Sequence, residues 1–135
     1  MVLAIGASLN NGINGAESGH VRVYSWNGAT YVQRGSDIDG ESDLDASGSS
    51  VSLSSDGVVL AIGAHFNDGI NGADSGHVRL YSWNGASHVQ RGNDIDGESG
   101  RDLSGSSVSL SNDGKVLAIG AIGNAGNGDD LFIVI

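Results

Sequence analysis

The sequence predicts an all-β fold made of consecutive four-stranded antiparallel blades of a β-propeller, and three observations carry that prediction. The first is a repeat. VLAIGA stands at Val2–Ala7, Val59–Ala64 and Val116–Ala121, 57 residues apart each time, and residues 2–57 match residues 59–114 without a gap at 44 of 56 positions. The chain is therefore one unit written about two and a third times, as 2–58, 59–115 and 116–135, and a period of this size belongs to propellers, solenoids and arrays. The second is four strand-like segments in each unit with no helical periodicity. The third is the Asn-Gly and Asp-Gly turns between them, which join antiparallel neighbours and so argue against a solenoid of parallel coils.

Strand one shows most clearly near the end of the second unit, where Ser107, Ser109 and Ser111 alternate with Val108 and Leu110. A period of two gives one apolar face and one small polar face. The turns Ser55-Asp56-Gly57 and Asn112-Asp113-Gly114 follow, because Asp and Gly tolerate left-handed backbone. Strand two is the nearly continuous apolar run Val58–Ala64, the pattern of a strand covered on both faces. The polar segment from Asn67 to Gly76 carries too many turn formers for regular structure. Strand three, His77–Trp83, alternates Val78, Leu80 and Ser82 with Arg79, Tyr81 and Trp83. Asn84-Gly85 reverses the chain, strand four covers roughly Ser87–Gly92, and Asn93–Gly105 is expected to be a loop leading to the next strand one. Side chains also grow from strand one to strand three, as a wedge-shaped blade with crowded inner strands requires.

Composition narrows the partners. The net charge is −10, with sixteen acids against six basic residues, so a nucleic-acid backbone is excluded and cations or basic protein surfaces fit. No cysteine is present, which removes disulfides and thiolate metal sites, and no apolar run is long enough to span a membrane. The 23 glycines recur in phase with the repeat and mark turns of a folded unit.

The motifs GxSVSLSxDGxxLAIGA, NDGxNGxxSGHVRxYSW and QRGxDIDGE together resemble the FG-GAP repeats of the integrin alpha-chain propeller and its microbial relatives, over essentially the whole chain. Gly48-Ser49-Ser50-Val51 and Gly105-Ser106-Ser107-Val108 stand at the FG segment, and Ile62-Gly63-Ala64 stands at GAP, with Ser in place of Phe and Ser8, His65 or Ile122 in place of Pro. The resemblance implies an extracellular or cell-surface adhesion module that uses its two-to-three and four-to-one loops for ligands. Family members that bind calcium do so with several spaced acids in the one-to-two turn. Here that turn holds one acid, Asp56 or Asp113, too few for a cation that takes six or more oxygens.

The acids gather between strands four and one instead. Asp37, Asp39 and Glu41 in the first copy and Asp94, Asp96 and Glu98 in the second alternate as Asp-x-Asp-Gly-Glu, with Asp43, Asp45 and Asp102 close behind. Two readings stay open: Asp37, Asp39, Glu41, Asp94, Asp96 and Glu98 as oxygen ligands of a hard cation such as Ca²⁺, or a solvated turn whose carboxylates cap local amides. Asn67, Asp68, Asn71 and Asp74, on the long loop, join the same face of an up-and-down blade. The histidines read as ordinary strand-edge residues, Arg34 and Arg91 as partners of nearby acids, and Trp26 and Trp83 as packing between blades. No nucleophile elbow or asymmetric catalytic set is present, so the function expected is non-catalytic binding of a protein or glycan, with a structural spacer as the alternative. Two and a third units do not close a propeller, so the rest of a larger propeller or self-association is expected to complete it.

Overall fold

A computed structural model of the chain describes residues 1–124 and 133–134, which form three antiparallel sheets, none of them closed, with no helix among the described residues. The first sheet contains β1 (Val2–Ala7), β2 (His20–Trp26), β3 (Tyr31–Gln33) and β4 (Ile38–Asp39). The second contains β5 (Ser50–Leu53), β6 (Val59–Ala64), β7 (His77–Trp83), β8 (His88–Gln90) and β9 (Ile95–Asp96). The third contains β10 (Ser104–Leu110), β11 (Leu117–Ala121) and β12 (Ile133–Val134). Along each sheet β1-β2-β3, β5-β6-β7-β8 and β10-β11-β12 follow chain order, with β4 added on β2 and β9 on β7. β12 pairs with β11 where a divergent third strand is expected at 131–135, and Leu131, Phe132 and Ile135 lie outside the described residues.

Strand four departs from expectation. β8 and β9 both pair with β7, at Tyr81↔Gln90 and Val78↔Ile95, so Arg79 and Leu80 stand opposite the longer run Arg91 to Asp94. The surplus residues form a bulge, entered where the Arg91 amide donates to the Leu80 carbonyl at 2.7 Å and turned at Gly92, whose φ is +79°. The segment from Asn93 onward is therefore not all loop. Ile95 draws it back, because its side chain packs against the apolar cluster of Ala61, Val78, Leu117 and Ile119. The same bulge recurs in the first sheet, where Ile38 is buried in the matching place.

Apolar layers lie between the sheets. From β6, Leu60 and Ile62 meet Val21, Val23 and Ile38 of the first sheet, while Ala61 on the other face meets Leu117 and Ile119 of the third. All six residues of β6 are buried, which is why its pattern is continuous and not alternating. In β1 the same letters meet a different fate, since Leu3 and Ile5 remain 40% and 48% exposed. The serines of strand one join neighbouring sheets. Ser50 Oγ donates to the Gly105 carbonyl at 2.7 Å, and the Leu110 amide donates to Ser52 Oγ at 3.0 Å.

The pairing fixes which connections share an end. Val59↔Ser82 and the Trp83 amide on the Val58 carbonyl put the short hairpins at one end of the sheet; Ala64↔His77 and His77↔Asp96 put the long polar loop and the acidic segment at the other. In the short turn, Asp56 Oδ1 accepts from Ser54 Oγ at 2.6 Å and the Val58 amide at 2.9 Å, and these bonds hold its carboxyl below the usual range. Asp113 does the same work with Ser111 and Lys115. Trp83 packs between sheets as expected. The residue that meets it is Arg34, whose guanidinium lies 4.5 Å from the ring centroid and donates to the Gly57 carbonyl, so its close partners are a ring and a carbonyl and not the acid the sequence suggests.

Candidate functional site

The acidic end of the sheets is built from two loops per copy. Alternation along β4 and β9 turns Ile38 and Ile95 into the core, so the flanking acids lie on the opposite side. Asp37 is held by Arg22, with Nε and one terminal nitrogen each at 2.9 Å, and by Gln33 at 2.7 Å. The Arg22 hydrogen bond, ahead of the smaller Gln33 one, pulls the Asp37 carboxyl down to about 2. Its counterpart Asp94 accepts from Gln90 at 2.7 Å, and Glu41 lies 3.4 Å from the Arg79 guanidinium. Asp39 and Asp96 sit on β4 and β9 opposite His20 and His77, while Glu98 is exposed. On the long loop, Asn67 donates to Asp45 at 2.9 Å, Asn71 donates to the Gly97 carbonyl at 2.7 Å, and Asp68 accepts the Asp74 amide at 2.9 Å.

Among the described residues, the set of three potential metal ligands that converges is Glu41, His77 and Asp94, whose ligand atoms lie within 4.8 Å of one another. His77 is buried, not a plain strand-edge residue. The alternation His77, Arg79, Tyr81 along β7 was the available signal, since Arg79 and Tyr81 are themselves buried on that side. The cluster already contains a cation: Arg79 is 7% exposed, donates to the Asp39 carbonyl at 3.1 Å and faces Glu41. Burial first, and then the Arg79 charge, lower the His77 pKa against the opposing pull of Asp94, Glu41 and Asp45. The imidazole is thus neutral at pH 7, and its 3.8 Å approach to Asp94 is not an ion pair there.

A pH dependence follows from that direction. The folded-state value lies below 6.5, so the unfolded chain binds the proton more readily, and His77 contributes stability that is present above pH 6.5 and lost as pH falls. Burial shifts His65 and His88 the same way. The urea midpoint is expected to fall between pH 7.5 and pH 5, and His77→Gln is expected to flatten part of that slope. An unchanged slope in the variant would remove His77 from the explanation.

A second feature lies between the first two copies. A cleft of about 410 Å³ is lined by Ser42, Asp43, Leu44 and Asp45 from the first copy and by Phe66, Asn67, Asp68, Ala73 and Asp74 from the second. Asp45 is its fixed floor. It is 2% exposed, and its Oδ2 accepts the Glu41 amide, the Ser42 amide and Asn67 Nδ2. Asp102 repeats the arrangement with the Ser99 amide and Asn124. An open groove of about 520 Å³ runs beside β9 past Gln90, Asn93, Asp94 and Asp96. The sequence pointed to Asn67, Asp68 and Asp74 and counted Asp43 and Asp45 among the gathered acids, but passed over Leu44 and Phe66.

No family model matches the chain, and no curated protein matches it.

Proposed function

We propose that this chain is a non-catalytic recognition module whose three sheets serve as consecutive blades of an FG-GAP-type propeller, completed by further repeats or by association with other copies. The acidic end of the sheets receives a protein or glycan partner outside the cell or at its surface. One observation carries the reading: the pairings Ala64↔His77 and His77↔Asp96 bring the long polar loop and the acidic segment to the same end of one rigid sheet. Loops presented by a packed scaffold are where binding concentrates, and the charge of −10 selects a basic partner surface. Calcium is the cofactor this reading assigns to the acidic segments, Asp37, Asp39 and Glu41 in the first copy and Asp94, Asp96 and Glu98 in the second.

Asp94→Ala with Asp96→Ala is expected to weaken partner or cation binding about tenfold or more and to leave the fold intact, while Asp113→Ala leaves binding unchanged. Calorimetry on the protein with its partner, with and without calcium, checks both. A second reading, a structural spacer, is favoured by the internal engagement of Asp37, Glu41 and Asp94. Binding that is unaffected by the double substitution would put that reading first.

A further inference from the structure

We infer that the cavity between the second and third sheets, at the hairpin end of the molecule, binds a small aromatic carboxylate. The cavity lies away from the acidic loops, so the inference does not depend on the recognition reading.

The cavity measures about 210 Å³. That is below the roughly 300–1,000 Å³ of sites for drug-sized ligands, so its occupant is a molecule of one or two rings. Leu80, Leu110 and Leu117 supply the apolar lining. Arg91 and Lys115 supply the charge, two of the chain's six basic residues in a wall that contains no acid. Neither cation is firmly engaged. The Arg91 amide enters the bulge by its bond to the Leu80 carbonyl, while its guanidinium has no hydrogen bond or ion pair among the described residues. Lys115 Nζ lies 3.7 Å from Asp113 Oδ2, an exposed pair that water screens.

The junction between the first and second sheets shows what this place accepts. Arg34, Gly35, Gly57 and Leu60 there correspond to Arg91, Gly92, Gly114 and Leu117. The turns hold the same backbone, since Gly35 and Gly92 both have φ of +79°, and Gly57 and Gly114 have +69° and +67°. Over Arg34 lies the indole of Trp83, its centroid 4.5 Å from the guanidinium, with the His88 ring packed beside it. A methyl on Gly35 would meet Trp83 at 3.1 Å and His88 at 3.3 Å, whereas a methyl on Gly92 would meet no atom within 4 Å. The second junction thus repeats the guanidinium platform and, among the described residues, leaves it without a ring. A flat aromatic ligand on Arg91 regains the stacking that Trp83 gives Arg34. Lys115 decides the charge. It stands where the first junction has Val58, so this cavity gains a cation that the filled one lacks, and a carboxylate on the ring's side arm answers it with a charge-assisted hydrogen bond.

The test uses the whole chain, ¹⁵N-labelled, titrated in turn with indole-3-acetate, with indole, which lacks the carboxylate, and with cyclohexylacetate, which lacks the aromatic ring. Amide shifts are expected at Gly92, Gly114 and Lys115, saturating at the lowest concentration for indole-3-acetate. Gly35 and Gly57, whose side of the molecule Trp83 fills, should stay unmoved. Lys115→Val, which installs the residue of the first junction, is expected to weaken indole-3-acetate about fivefold or more and to leave indole within about twofold. Arg91→Gln is expected to weaken both by about fivefold or more. Arg91 is exposed, and an otherwise unchanged amide spectrum checks that the variant folds. Equal binding of cyclohexylacetate and indole-3-acetate, or a titration that neither substitution moves, would overturn the inference. So would occupation of the cavity by a second copy through its exposed Trp26, seen as a higher mass by light scattering and as tighter indole-3-acetate binding in Trp26→Ala.

Discussion

Replacing Leu60 with alanine is expected to destabilise the chain by about 2–5 kcal/mol, whereas the same replacement at Leu3 is expected to cost about 1 kcal/mol or less. The two leucines occupy identical places in identical hexapeptides. Leu60 is fully buried in a cluster with Val21, Val23, Ile38 and Ile62, so its loss leaves a cavity whose walls, drawn from two sheets, cannot both move in. Leu3 is 40% exposed, and water fills whatever it vacates. Leu117, 2% exposed between the second and third sheets, is expected to behave like Leu60. Urea denaturation of the three variants checks the order. Equal losses at Leu3 and Leu60 would mean that the face carrying Leu3 is covered in solution, and a rise in molecular mass by light scattering would identify another copy as the cover.

Much of this arrangement was legible because the repeat made each element appear at least twice. Strands one and three could be placed from period-two alternation, strand two from its continuous apolar run, and their boundaries from Asp-Gly and Asn-Gly turns, each of which has a local physical cause. Strand four was less legible. Its two short pieces are separated by Arg91 to Asp94, and nothing local says that Ile95 returns to the sheet; the apolar cluster it joins is made by Leu117 and Ile119 of another sheet. The site had the same limit. Acid spacing located the segment, but whether an acid is available depends on bases elsewhere in the fold: Arg22 engages Asp37 across β2 and β4, and Arg79 reaches Glu41 from the next sheet. The burial of His77 and the cleft at Phe66 are likewise products of sheet stacking.

Stacking itself is tested most sharply at Gly63, where Gly63→Ala is expected to cost about 2–4 kcal/mol. A methyl there would overlap the Gly105 carbonyl oxygen and Ser50 Oγ, and the first of these is backbone that cannot rotate away. Gly105 is fixed in turn, with φ of +86° and the His77 carbonyl beside it, so relief requires the second and third sheets to separate and the Ser50 to Gly105 hydrogen bond to lengthen. Gly6 makes the equivalent approach to Gly48 between the first and second sheets, and Gly6→Ala is expected to show a loss of similar size. The third copy supplies the control. A methyl on Gly120 would meet first the Ser107 hydroxyl, on an exposed side chain that can change rotamer, so Gly120→Ala is expected to cost less than about 1 kcal/mol. Chemical denaturation of the three single variants gives the comparison directly. Equal, small losses at all three positions would show that the sheets do not approach one another along strand two, and the shared layers that carry both the cleft and the burial of His77 would have to be redrawn.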